Sequence, residues 1–252
     1  MSASLEGPAV PWTAVGHTST KASVYGVHGA EGKTYWKAFA TRRQLRSQSE
    51  AVEWASLPAN GVSGEHRHTR TEEIYLILSG SGELLLNGGP RQVRAGSLAL
   101  TSVGNIHGLR NTGDGHLDWW VIETLAPATS SVLSGSPAPE GADMTQAVVH
   151  DLFEEKRVDT KGVFSGPLKQ VEVIDIAAGG ERAVGRPGAE LAVYVHAGEG
   201  VVEAPGLTET VTLVKDTCLL IEAGSQSTFR AAGVPLRLLV VTLAVEGEGG
   251  AK

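Results

Sequence analysis

Cysteine is almost absent from this chain: Cys218 is the single one in 252 residues. An intramolecular disulfide is therefore excluded, and the neighbours Thr217, Leu219, Leu220 and Ile221 mark an ordinary buried thiol, as expected in a reducing compartment. No stretch approaches the roughly 18 apolar residues that a membrane helix needs, and the opening MSASLEGPAVPW has no basic cluster leading into an apolar run. The expectation is a soluble, cytoplasmic protein with no membrane partner. An excess of positive charge is also missing. A net charge of -7 opposes attraction to phosphate backbones, so no nucleic acid partner is expected, and the local cluster Arg42, Arg43, Arg46 reads as a solvated loop. Helical periodicity over ten or more residues is hard to find.

Short apolar runs between Gly, Pro, Asn and Asp turns fill most of the chain instead, among them 22–27, 34–40, 51–57, 73–78, 83–87, 97–101 and 116–124. This pattern predicts an all-β protein. Between Pro127 and Ala142 large apolar residues thin out and Pro, Ser and Gly accumulate, so 127–145 reads as a linker. The segments on either side resemble each other at a shift of 118 to 120 residues. Val52 and Glu53 fall on Val171 and Glu172, Leu57 on Ile176, Gly61 on Gly180, Gly80 and Gly82 on Gly198 and Gly200, and Gly104 on Gly224. The organisation expected is an N-terminal extension over 1–47 whose strands cover a barrel, a first β unit over 48–126, the linker, and a duplicate unit over 146–247.

Chemistry concentrates in the first unit. In an extended segment His66 and His68 project to the same side, and Glu72 or Glu73 can join them from the next strand. His107 follows a turn at Gly104 and Asn105. Three imidazoles and a carboxylate suit Fe, Mn, Ni, Co, Cu or Zn better than Ca or Mg, and leave positions open for water or substrate.

These residues resemble two motifs of the cupin superfamily. The first runs from Gly61 through His66-x-His68 to Glu73, four residues on, and Gly80, six further, which selects Glu73 over Glu72. The second runs Gly96, Ser102, Gly104, His107, Asn111. Ser102 stands where proline is common and Gly61 is one residue closer to His66 than usual; neither position is a ligand. The resemblance implies two tandem cupin jelly-roll β-barrels, a bicupin, with one divalent transition metal (Fe, Mn or Ni, with Zn as an alternative) held by His66, His68, Glu73 and His107. Following the repeat, the ligands fall on Gly185, Pro187, Leu191 and Ser227, so the second barrel is expected to be degenerate and structural, shaping the first or making a homodimer contact. Glu190, Tyr194 and His196 are the candidates for a second pocket.

Strand alternation from Glu73 makes Tyr75 a candidate catalytic residue beside Glu73 itself, turns Arg67 away from the metal, and leaves open which of Trp119 and Trp120 faces inward. Trp36, Trp54 and Arg46 are candidates for the cavity mouth. His17, His28, His116 and His150 have no ligand spacing and read as surface histidines. No further carboxylate or histidine near the motifs presents itself as a general base. The resemblance implies an enzyme acting on a small organic substrate, with O2 in a dioxygenase or oxidative cleavage, or by non-redox Lewis-acid isomerisation, cyclisation, hydrolysis or decarboxylation. The alternative of another class is a non-catalytic small-molecule-binding or sensor bicupin.

Overall fold

A computed structural model describes residues 13–137 and 146–245. Among them, strands form four antiparallel sheets, arranged as two barrels each made of a large and a small sheet. In the first barrel the large sheet runs Ala147–Asp151, Ser97–Thr101, Thr71–Ser79, Leu117–Leu125, Ser49–Leu57, Lys33–Thr41, Ala22–Tyr25. Its small sheet runs Val62–Arg67, Ile106–Asn111, Ser81–Leu86, Gly89–Arg94. In the second barrel the large sheet is Thr13–His17, Thr217–Ile221, Ala189–Ala197, Leu236–Ala244, Leu168–Ile176, Arg157–Asp159. Its small sheet is Glu181–Gly185, Gln226–Ala231, Gly200–Glu203, Val211–Leu213.

The central strands are apolar on successive residues, IYLIL at 74–78 and LLVV at 238–241, because both of their faces are buried. One face fills its own barrel: Tyr75, Ile77, Leu109 and Trp119 in the first, Val193, Leu219, Phe229 and Val240 in the second. The other face packs barrel against barrel, where Trp54, Leu76 and Trp120 meet Ala192, Tyr194 and Leu239. Trp119 thus points into the first barrel and Trp120 into the seam. Burying an indole there is worth about 4–6 kcal/mol by area.

Sheet membership does not change at the linker. The Thr13–His17 strand lies in the second barrel's sheet, Thr13 opposite Ile221, while Ala147–Asp151 lies in the first barrel's sheet, Ala147 opposite Thr101. Each half thereby covers the edge that the other would leave open. A reciprocal carboxylate clasp accompanies this exchange. Glu72 accepts the backbone N–H groups of Ser165 and Gly166, each at 2.8 Å. Glu190, its counterpart in the repeat, accepts those of Arg46 and Ser47 at 2.7 and 2.8 Å. The first part of the expected linker is an α-helix, Pro127–Ser134, started by Pro at its first turn and stopped by Gly135 at φ 70°; residues 138–145 of that linker lie outside the described residues.

Candidate metal centre

His66 and His107 are direct cross-strand partners in the small sheet, and Glu73 lies opposite Thr101 and Glu123 in the large one. His68 sits just past the end of the Val62–Arg67 strand, pinned by its N–H to Asn105 O (3.0 Å) and by Gly104 N–H to its own carbonyl (2.7 Å). The barrel's closure therefore brings all four side chains to one point, with one ligand atom from each within 4.8 Å of the others. His107 Nε2 is 2.9 Å from Glu73 Oε2, 3.0 Å from His68 Nε2 and 3.2 Å from His66 Nε2; His68 Nε2 is 3.2 Å from Glu73 Oε2.

The opposite ring nitrogens say which tautomer the His66 and His68 imidazoles take. His66 Nδ1 donates to the Gly64 carbonyl at 3.1 Å, which leaves Nε2 a bare lone pair. The Thr71 hydroxyl donates to Glu123 Oε1 at 2.6 Å, so it can only accept from His68 Nδ1 at 3.3 Å. His107 Nδ1 contacts the Thr101 hydroxyl at 3.1 Å. These partners aim the Nε2 lone pairs at a shared point, as outer-shell hydrogen bonds do around metals. Glu73 Oε2 is buried with no hydrogen-bond partner of its own. Burial would raise the Glu73 pKa, but the His107 and His68 rings beside it hold it well below the ordinary carboxylate value. Burial, reinforced by His107, pushes His66 down to about 4, so it is a neutral ring at physiological pH. Burial works against charge on His68 as well, yet Glu73 carries its pKa above the ordinary value.

Four donors, one of them an orphaned carboxylate oxygen, are what a cation satisfies. An ion about 2.1 Å from each donor spaces cis neighbours of an octahedron about 3.0 Å apart and leaves about two positions open. The 2.9–3.2 Å separations fit that spacing. His66, His68, Glu73 and His107 can therefore hold a metal ion.

Above them lies a cavity of approximately 470 Å³. Tyr75 lines it, buried, its ring 4.4 Å from that of His107. Burial, and then the charge of Glu73, raise the Tyr75 pKa well above its usual value, so its hydroxyl stays protonated. Trp119 lines the wall, and its buried indole N–H has no partner.

Several residues sit elsewhere than sequence reasoning expects. His28 is not a detached surface histidine: its ring stacks on His66, centroids 3.5 Å apart and planes 11° from parallel, and it lines the cavity. Close approach of the two segments needs Gly64, where a Cβ would lie 2.2 Å from the His28 carbonyl. Glu53 and Glu123 supply the cavity carboxylates that the motif region did not offer. Burial raises the pKa of each; Glu123 adds to this at Glu53, and Glu73 at both. Strand parity puts Ala51, Glu53 and Ala55 on one face, and Trp119, Val121 and Glu123 likewise, but the sequence does not say which face turns inward. Trp36 donates to Glu53 at 2.9 Å on the cavity wall, whereas Trp54 packs in the seam and Arg46 belongs to the Glu190 clasp. Arg67 is exposed but bends back to the Gly104 carbonyl and lines the mouth with Arg70. His17, His116 and His150 contact Lys215, Ser56 and Glu155, away from the centre. Glu190, Tyr194 and His196 serve the clasp, the seam and a contact with Phe153.

Comparison with known proteins agrees with this fold. Residues 53–123 match the family model described as the cupin domain. A protein named oxalate-binding protein from Thermotoga maritima is 26% identical over 106 residues, 42% of this chain and 88% of that one. The structure of protein Ylba from E. coli superposes with a TM-score of 0.71 at 12% identity, covering 93% of this chain and 92% of that one. Salicylate 1,2-dioxygenase from Pseudoaminobacter salicylatoxidans, in adducts with gentisate, reaches 0.66 at 14% identity, covering 95% and 83%. At such identities the two structures speak for the fold alone. Residues 53–123 thus match a cupin domain, and the pair of barrels gives the chain a bicupin-like, two-barrel arrangement.

Proposed function

We propose that this protein is a metal-dependent cupin enzyme that acts on a small organic substrate at a single 3-His/1-Glu centre, with O2, in a dioxygenase or oxidative-cleavage reaction. The observation that carries the reading is the convergence of three Nε2 lone pairs and the orphaned Glu73 oxygen, at cis-octahedral spacing, beneath a cavity of substrate size. A bound Fe, Mn or Ni would supply the vacant positions at which oxygen and substrate meet. The chain's own residues do the rest. Tyr75, held protonated, donates a hydrogen bond beside His107, and the Trp119 N–H offers a second donor from the wall. Glu53 and Glu123 accept from substrate N–H or O–H groups and can take a proton. The stacked His28 ring covers one face of His66. Glu53 and Glu123 also favour a second reading, non-redox acid–base chemistry on a metal-polarised carbonyl, because they place two proton acceptors in the same cavity.

Elemental analysis of the purified protein and of His66→Ala and His107→Ala tests the centre: about one transition metal per chain is expected in the parent and almost none in either variant. Oxygen uptake is then measured with phenols, diketones and small organic acids. Tightly held zinc with no uptake on any candidate rejects the oxygen-dependent version and leaves the acid–base one. Undiminished metal in both variants rejects the centre itself.

A further inference from the structure

The second barrel repeats the row of residues that crosses the metal centre. In the first barrel this row is Ala51, Glu123, Glu73, Thr101, each opposite the next; in the second it is Gln170, Thr242, Leu191, Ile221. No metal ligand survives there, yet the position is not simply filled with apolar side chains. A cavity of approximately 270 Å³ opens at that end of the barrel, and Leu191 forms part of its lining. Arg157, Arg182 and Arg186 line it too, with Glu172 among them. In a chain of net charge -7, three guanidinium groups at one small opening are a local concentration against the overall sign.

On residues paired with or bonded to this lining, buried polar atoms lack a hydrogen-bond partner. Arg186 donates to Gln170 Oε1 at 3.0 Å, which fixes the amide with its NH2 turned elsewhere, and that buried Nε2 has no acceptor. Thr242 Oγ1, on the residue between Gln170 and Leu191, is likewise buried and unpartnered. So is Ser227 Oγ, which takes the place of His107 and shares its face with Phe229 in the barrel core. Each such buried donor costs about 1–3 kcal/mol unless an acceptor reaches it. Arginine nitrogens at the rim and these orphaned donors call for the same thing, an electron-rich oxygen ligand. Glu172 offsets one charge, its Oε1 lying 3.7 Å from Arg186; two guanidinium groups remain in excess.

We propose that the degenerate barrel is an anion-binding module, which holds a small oxyanion, a carboxylate or a phosphate, between Arg157, Arg182 and Arg186 in the place where the first barrel holds its metal. The duplication has then divided the work: one copy binds a cation, the other an anion. This inference does not depend on the reaction assigned to the first barrel.

Isothermal titration of the metal-loaded protein with inorganic phosphate and, separately, with malonate at low salt tests it. A saturable single site is expected for at least one anion, the tighter of the two telling phosphate from carboxylate chemistry. Arg182→Gln, an exposed side chain whose loss leaves the fold intact, should weaken binding about tenfold or more. Thr242→Val should weaken it as well, whereas His107→Ala should leave it unchanged. Absence of saturable binding with both anions overturns the proposal. So does binding that survives Arg182→Gln but is lost in His107→Ala, which would assign the anion to the metal centre.

Discussion

Replacing Glu72 by Gln tests what holds the two barrels together. The Glu72 carboxylate is 2% exposed and accepts the Ser165 and Gly166 N–H groups, each at 2.8 Å, across the seam. Gly166 is required there, because a Cβ would lie 2.6 Å from Glu72 Oε2 and 2.7 Å from the Leu125 carbonyl. Glutamine keeps the shape but turns an NH2 toward one of those donors. The loss is one charge-assisted hydrogen bond, about 1.5–3 kcal/mol, and one N–H left unsatisfied, about 1–3 kcal/mol. Allowing for the relief of a buried charge, the net is roughly 2–4 kcal/mol. At about 2–4 °C per kcal/mol for a chain of this size, the midpoint of thermal unfolding should fall by about 4–16 °C. Glu190→Gln, which breaks the equivalent bonds to Arg46 and Ser47, should cost a similar amount, and its distance from the metal centre should leave metal content unchanged. Scanning calorimetry measures both, with metal analysis on the same samples. Midpoint shifts below about 1 °C in both variants would refute the idea that this reciprocal pair carries the seam.

Two further outcomes follow from the cavity wall. Burial raises the pKa of Glu53 and Glu123, so the folded chain holds their protons more tightly than the unfolded chain does, and stability falls as pH rises above about 4.5. Glu53→Gln, which still accepts the Trp36 N–H, should therefore stabilise the fold by an amount that grows from that pH upward; a gain independent of pH would show that the carboxyl's charge is not what costs stability. Gly64→Ala should drive the Val27–Gly29 turn off His66 through the 2.2 Å clash with the His28 carbonyl. With the stack gone, about 1.4 kcal/mol of ring contact is lost and a chelator should strip the metal about tenfold faster at unchanged initial metal content; an unaltered rate would make the stack incidental.

The cluster of candidate ligands was legible because their spacing is local. His66, His68 and Glu73 lie within a few residues of each other, and His107 is tied to its own turn at Gly104 and Asn105, so two short patterns name the cluster that the fold assembles. The repeat was legible for a similar reason: glycines recur at the tight turns of both copies, and the paired rows through Glu73 and Leu191 stay within the shift of 118 to 120 residues. His28, Glu53 and Glu123 were not legible as cavity residues. Each depends on which strand lies beside which and on the parity of a strand with no motif to anchor it.

The amino-acid pattern by itself therefore determined that the chain is β-rich, duplicated, and armed with one cluster of imidazoles and a carboxylate, since periodicity, turn residues and ligand spacing are properties of neighbours along the chain. Only the tertiary structure decided that Trp119 faces the cavity while Trp120 seals the seam, that each half lends a strand and two N–H groups to the other, and that Glu53, Glu123 and His28 complete the cavity. Those facts arise where strands distant in sequence pair in one register, and register is set by burying both faces of the sheets at once.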